Sequence, residues 1–199
     1  MNKKEAEQEL STSPEIESLR EPMAIGEVFT KSGLFPDIKS QSQAVVKILA
    51  GKEIGLSPFQ SMKDIYIVNG KLALQANALA SLIKTSKKYD YKIEELTNET
   101  CKISFWEITG EGKKENLGIS EFNSKDAARA GLINKDNYKN FPKNMYFARA
   151  LANGQRWYCP DCACGWHVSE EYEDLLPENR KETVTIEADG TVHKEENNA

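Results

Sequence analysis

The sequence predicts an α+β fold: a small antiparallel sheet, built as a hairpin plus a meander, packed with helices between disordered acidic termini. Three observations lead there. Asn69-Gly70 joins two short apolar runs, residues 65–68 and 71–74, in the pattern of a tight β-hairpin. Cys101, Ile103 and Phe105 alternate with Lys102, Ser104 and Trp106, as in a strand with one packed face. The elements run helices, hairpin, helix, meander, helices, which is not the repeating βα order of a Rossmann-type sheet.

Residues 1–21 read as a disordered arm, because large apolar groups are few and Ser11, Thr12, Ser13 and Pro14 interrupt any period. Helical spacing begins near 22–31 and returns at 41–54, where Ala44, Val45, Ile48, Leu49 and Ile54 form an apolar stripe ended by Gly55. Ser57-Pro58 opens a short helix through Met62. The hairpin follows, then a helix over 75–86 carrying Ala76, Leu79, Ala80, Leu82 and Ile83 on one side. Strands near 89–96, 101–108 and 114–120 form the meander, with turns at Asn98-Glu99-Thr100 and Gly110 to Gly112. Asn123 or Ser124 caps a helix stopped by Gly131, and Pro142 opens a longer helix through Tyr158. The globular domain spans 22–176. Residues 177–199 form an acidic, disordered tail in which Val184 and Ile186 alternate with Thr183 and Thr185, a strand only if something pairs with it.

The chain has 199 residues, 39% hydrophobic and 29% charged, with a net charge of -5. No apolar run approaches the roughly 20 residues that span a bilayer, and the amino terminus lacks the apolar core of a secretory signal. A reduced, cytoplasmic protein is expected. The charge is unevenly placed: residues 1–22 carry -3, residues 169–199 carry -7, and the body between them carries +5. A basic body attracts polyanions, and acidic ends can screen it.

Enzymatic machinery is not expected. The GxxxxGK[ST] phosphate loop is missing, and of the two histidines His193 lies in the tail. No catalytic residue, metal or cofactor is assigned. The competing reading is a zinc-stabilised interaction module, because Cys159, Cys162, Cys164 and His167 supply thiolates and an imidazole within nine residues, and Cys101 could replace one of them. Against it, structural zinc sites draw paired ligands from two separated elements. The plain alternative is a set of small free thiols in the turn after a helix.

The basic residues are more informative. Arg149 and Arg156 are seven apart in the 142–158 helix, so they share a face, with Asn153 between them. Guanidinium forks suit phosphate oxygens, while pairing with nearby carboxylates is the structural alternative. Ala148, Ala150, Ala152 and Gly154 permit close approach of another backbone. Lys84, Lys87 and Lys88 with Tyr89 and Tyr91 form a second patch. Basic groups interleaved with aromatics are what a single nucleic-acid strand uses, by phosphate neutralisation and base stacking.

The order of several segments resembles the RecT family of phage single-strand annealing proteins. They are Leu34-Phe35-Pro36, residues 51–58 (GKEIGLSP), Ile67-Val68-Asn69-Gly70-Lys71, residues 126–132 (DAARAGL), Phe141-Pro142 through Met145, Ala148-Arg149-Ala150, Arg156, Cys159-Pro160-Asp161 and Ser169-Glu170-Glu171. The resemblance implies ATP-independent, sequence-blind binding and annealing of complementary strands in phage-type homologous recombination. Implied partners are single-stranded DNA, the annealed duplex, further copies of the chain in a ring or filament, and a phage exonuclease or host single-strand binding protein. Lys71, Lys143, Arg149 and Arg156 are then the expected DNA-binding residues. The chain is short for the family, and the tail after Leu176 has no counterpart in it.

Overall fold

The computed structural model describes residues 14–68, 70–110, 112–163, 166–174, 183–186 and 192–195. Helix α1, Pro14–Ser32, opens the described chain. Residues 14–21, read from sequence as part of a disordered arm, are therefore helical. Pro14 suits a helix start because its ring presets φ and no N–H is needed there, and Glu, Leu, Arg and Met continue the turn well. Residues 1–13 lie outside the described residues.

Helix α2, Gln41–Glu53, is capped by the Ser40 side chain, which accepts from the Gln43 N–H. Helix α3, Pro58–Asp64, begins on a capping box in which Ser57 and Gln60 satisfy each other's backbone amides. These three helices enclose a small core of Ile38, Ala44, Ile48 and Met62, flanked by Phe29 and Phe35. Phe29, Phe35 and Phe59 meet edge to face, with centroids 5.4–6.3 Å apart. Lys47 is fully buried in this layer. Its ammonium donates to Asp37 at 2.8 Å and to the Met62 carbonyl at 2.9 Å, which offsets part of the cost of removing a charge from water.

Strands β1, Ile65–Val68, and β2, Lys71–Leu74, pair antiparallel as a hairpin. Gly70 takes φ +73°, the left-handed conformation that this turn requires. Helix α4, Ala76–Thr85, buries Ala76, Ala78, Leu79, Ala80 and Ile83. The meander follows: β3, Tyr89–Leu96, β4, Thr100–Ile108, and β5, Lys114–Asn123, in sheet order β3-β4-β5. Cys101, Ile103 and Phe105 are fully buried, so the alternation reports the packed face as expected. Burying Ile103 and Phe105 contributes about 1.5–3 kcal/mol each.

Asn123 closes a capping box with Asp126 to start α5, Ser124–Arg129. A short helix α6, Asp136–Asn140, precedes α7, Pro142–Tyr158. A 3₁₀ turn, Pro160–Cys162, leads to α8, Ser169–Asp174. Leu74 donates its N–H to the His167 carbonyl at 2.9 Å, and Leu74 and Val168 form a parallel bridge that ties this last segment to the hairpin. In the tail, β6, Thr183–Ile186, pairs antiparallel with β7, Val192–Glu195, so the alternation at Val184 and Ile186 finds its partner within the tail itself. The rest of the tail lies outside the described residues. The fold is mixed α+β, and none of the described helices is long and apolar enough to cross a membrane.

Candidate nucleic-acid interface

Helix α7 lies across the packed face of β4 and β5, and its small residues make that possible. Ala148, Ala150, Ala152 and Gly154 are buried, and Ser120 Oγ donates to the Ala150 carbonyl at 2.7 Å. A Cβ at Gly154 would lie 2.1 Å from the Phe105 ring and 2.9 Å from Ser120 Cβ, so only glycine fits that contact. With this side of α7 against the sheet, Arg149 and Arg156 emerge on one stripe toward α8, as their seven-residue spacing predicts.

The two guanidiniums meet a carboxylate. Arg156 Nη1 and Nη2 donate to Glu171 Oε2 and Oε1, each at 2.7 Å, and Nη2 also donates to Asn153 Oδ1 at 2.8 Å. Arg149 Nη1 stands 3.6 Å from Glu171 Oε1, and its Nε donates to the Tyr138 hydroxyl at 3.2 Å. His167 Nδ1 is 3.5 Å from Glu171 Oε2. Glu171 is only 8% exposed. Burial pushes its pKa up, but the Arg156 hydrogen bonds and the charges of both arginines outweigh it and leave the carboxyl below its ordinary value. The fork assigned from sequence to phosphate thus holds Glu171. Two guanidiniums against one carboxylate leave a net positive charge, and Arg156 keeps about a third of its side chain exposed.

The other two expected residues stand elsewhere. Lys71 is exposed at the first position of β2, and Lys143 is exposed in the first turn of α7, about 9 Å along the axis before Arg149.

A second basic cluster surrounds the edge strand β3. An open cleft of about 520 Å³ is lined by Lys84, Asp90, Tyr91, Lys92, Ile93, Trp106 and Lys114. Lys84 Nζ sits 4.6 Å above the Tyr91 ring, and nearby Lys88 Nζ sits 4.7 Å above the Tyr89 ring. Asp90 accepts from Lys84 and, at 2.5 Å, from Lys114. Burial opposes its charge, yet these hydrogen bonds, with one from the Tyr91 N–H, hold its pKa at about 2. One carboxylate therefore orients two ammonium groups and leaves a surplus of positive charge beside two aromatic rings. Lys84 and Tyr91 belong to the patch read from sequence. Trp106 and Lys114 join it through pairing: Trp106 stands opposite Asp90, and Lys114 reaches across from β5.

The cysteine segment folds as a compact turn. Cys159 is fully buried at the end of α7, and Cys162 is half-buried in the 3₁₀ turn. Among the described residues no group of three or more His, Cys, Asp or Glu side chains is arranged to hold a metal ion. Cys164, one of the four ligands of the zinc reading, lies outside the described residues. Compared with known proteins, the chain matches no family model, no curated protein and no solved structure.

Proposed function

We propose that this protein binds single-stranded DNA without sequence preference and anneals complementary strands without ATP, by electrostatic and stacking contacts and with no bond made or broken. The observation that carries the reading is the cleft along β3, where Lys84, Lys92 and Lys114 stand with Tyr91 and Trp106 around 520 Å³ of open space. Ammonium groups neutralise phosphates and aromatic faces stack any base, which is the sequence-tolerant chemistry of single-strand binding. The +5 body and the segments resembling the RecT family support the same reading. Exposed Lys71 and Lys143 add phosphate contacts, while Arg149 and Arg156, engaged by Glu171, lend positive potential at the α7–α8 side. Further copies of the chain would extend the bound strand into a ring or filament.

The test is titration of labelled oligonucleotides at several salt concentrations, with annealing of complementary strands followed in the absence of nucleotide. The logarithm of affinity should fall with that of salt at a slope of about -0.7 per phosphate neutralised. Trp106→Ala should weaken binding roughly five- to a hundredfold, the cost of one lost base stack, and Trp106→Phe should restore most of it. A salt slope near zero, a strong preference for one sequence, or unchanged affinity in Trp106→Ala with an intact melting transition refutes the assignment.

A further inference from the structure

The cysteine turn carries an inference independent of the DNA reading. We propose that Cys159 and Cys162 form a reactive dithiol, in which Cys162 is the nucleophile toward small disulfides and Cys159 is the resolving thiol, so that oxidation closes a disulfide at the end of α7.

The Cys162 N–H donates to the Cys159 carbonyl at 3.1 Å, closing the turn. A turn closed in this way brings its end Cα atoms within about 7 Å, a range that overlaps the roughly 4.4–6.8 Å a disulfide bridges. The two thiols lie near enough to perturb each other's ionisation. Access separates their roles. Cys159 is fully buried, whereas Cys162 lines an open cavity of about 360 Å³ with Thr85, Ser86, Lys88, Tyr89 and Asp161. Lys88 and Asp161, paired at 2.8 Å, both line this cavity, so its wall is polar and open to a small disulfide.

Electrostatics agree with that division. Cys162 is drawn below the ordinary thiol value, chiefly by the neighbouring Cys159 thiol and further by Ser86 and Lys88, against burial and Asp161. Cys159 is raised by the neighbouring Cys162 and by burial. Cys101, buried in β4, is pushed up to about 12 by burial alone and serves as an internal unreactive thiol.

The step balances as ordinary exchange. The Cys162 thiolate attacks one sulfur of the small disulfide, breaking its S–S bond and releasing one thiolate. Cys159, giving its proton to solvent, then attacks Cys162 Sγ of the mixed disulfide and expels the second thiolate. Two protein thiols lose two electrons and two protons, and one small disulfide is reduced to two thiols.

The test treats the full-length protein with oxidised glutathione and maps the thiols by fragmentation mass spectrometry. The wild type should lose two hydrogens between Cys159 and Cys162, and so should Cys164→Ser. Cys159→Ser should stop at a glutathione adduct on Cys162, and Cys162→Ser should form no adduct on Cys159. In the native protein, iodoacetamide should label Cys162 at least about tenfold faster than Cys101. Melting transitions of the serine variants verify their fold. A Cys162–Cys164 bond in the wild type, loss of the bond in folded Cys164→Ser, or labelling of Cys162 no faster than Cys101 overturns the proposal.

Discussion

Replacing Arg156 by alanine tests whether the α7–α8 contact is held by the bidentate pair with Glu171. The carboxylate is 10% exposed at its side chain and receives two 2.7 Å hydrogen bonds from Arg156, against a single 3.6 Å approach by Arg149. Stranding a fully buried charge costs about 3–5 kcal/mol. Arg149 stays beside Glu171, and the Arg156 side chain is itself 31% exposed, so the expected loss falls to about 2–3 kcal/mol. For a domain of this size each kcal/mol moves the melting point by about 2–4 °C, which predicts a drop of about 5–10 °C. Arg149→Ala, losing the longer contact and the Tyr138 hydrogen bond, should lose about 1 kcal/mol. Thermal unfolding reads both, and a double-mutant cycle with Glu171→Gln should show a coupling of about 1 kcal/mol or more between positions 156 and 171. The Glu171 carboxyl titrates below its ordinary value in the folded chain, so its contribution is complete above that ordinary value and fades as pH falls through the folded one. The Arg156→Ala penalty should therefore shrink in acid. An unchanged melting point with an additive double mutant refutes this reasoning, and an unchanged melting point with weakened DNA binding assigns Arg156 to the nucleic acid instead.

Two further outcomes are expected. Gly154→Ala gains about 1 kcal/mol of helix propensity, but its methyl would overlap the buried Phe105 ring, at a cost of about 1–3 kcal/mol or more. Urea unfolding should show a net loss that Phe105→Leu relieves in part. Asp90 is held at about 2 against an ordinary 3.8, so its stabilising contribution is complete above about pH 4 and is lost as pH falls toward 2. Asp90→Asn should accordingly flatten the acid limb of the stability curve between those values, and an unchanged limb contradicts the Lys84–Asp90–Lys114 clamp.

Local patterns were readable where a local rule governs them. Asn69-Gly70 specified the hairpin because a tight turn needs a positive φ, which Gly70 adopts. Cys101, Ile103 and Phe105 marked the buried face because side chains alternate along a strand. The small residues of α7 announced a close contact, though not that a phenylalanine ring would fill it. The shared face of Arg149 and Arg156 followed from helical geometry, but Glu171 enters from a separate helix, and no spacing rule connects positions 15 residues apart. Trp106 and Lys114 were not placed in the patch for a related reason: they join Lys84 and Tyr91 only through strand register and a bulge between Phe105 and Trp106. At the amino terminus, the polar composition concealed a helix that begins at Pro14, since polarity reports exposure more directly than conformation.

The Lys47 ammonium has a use as a reporter. It is sealed from solvent between Asp37 and the Met62 carbonyl, and burial lowers its pKa. An amine reagent that modifies exposed Lys39, Lys52 and Lys63 at once can reach position 47 only when α1, α2 and α3 part. The slow acylation of that one amine would then clock the breathing of the helical layer, separately from the sheet and without any introduced probe.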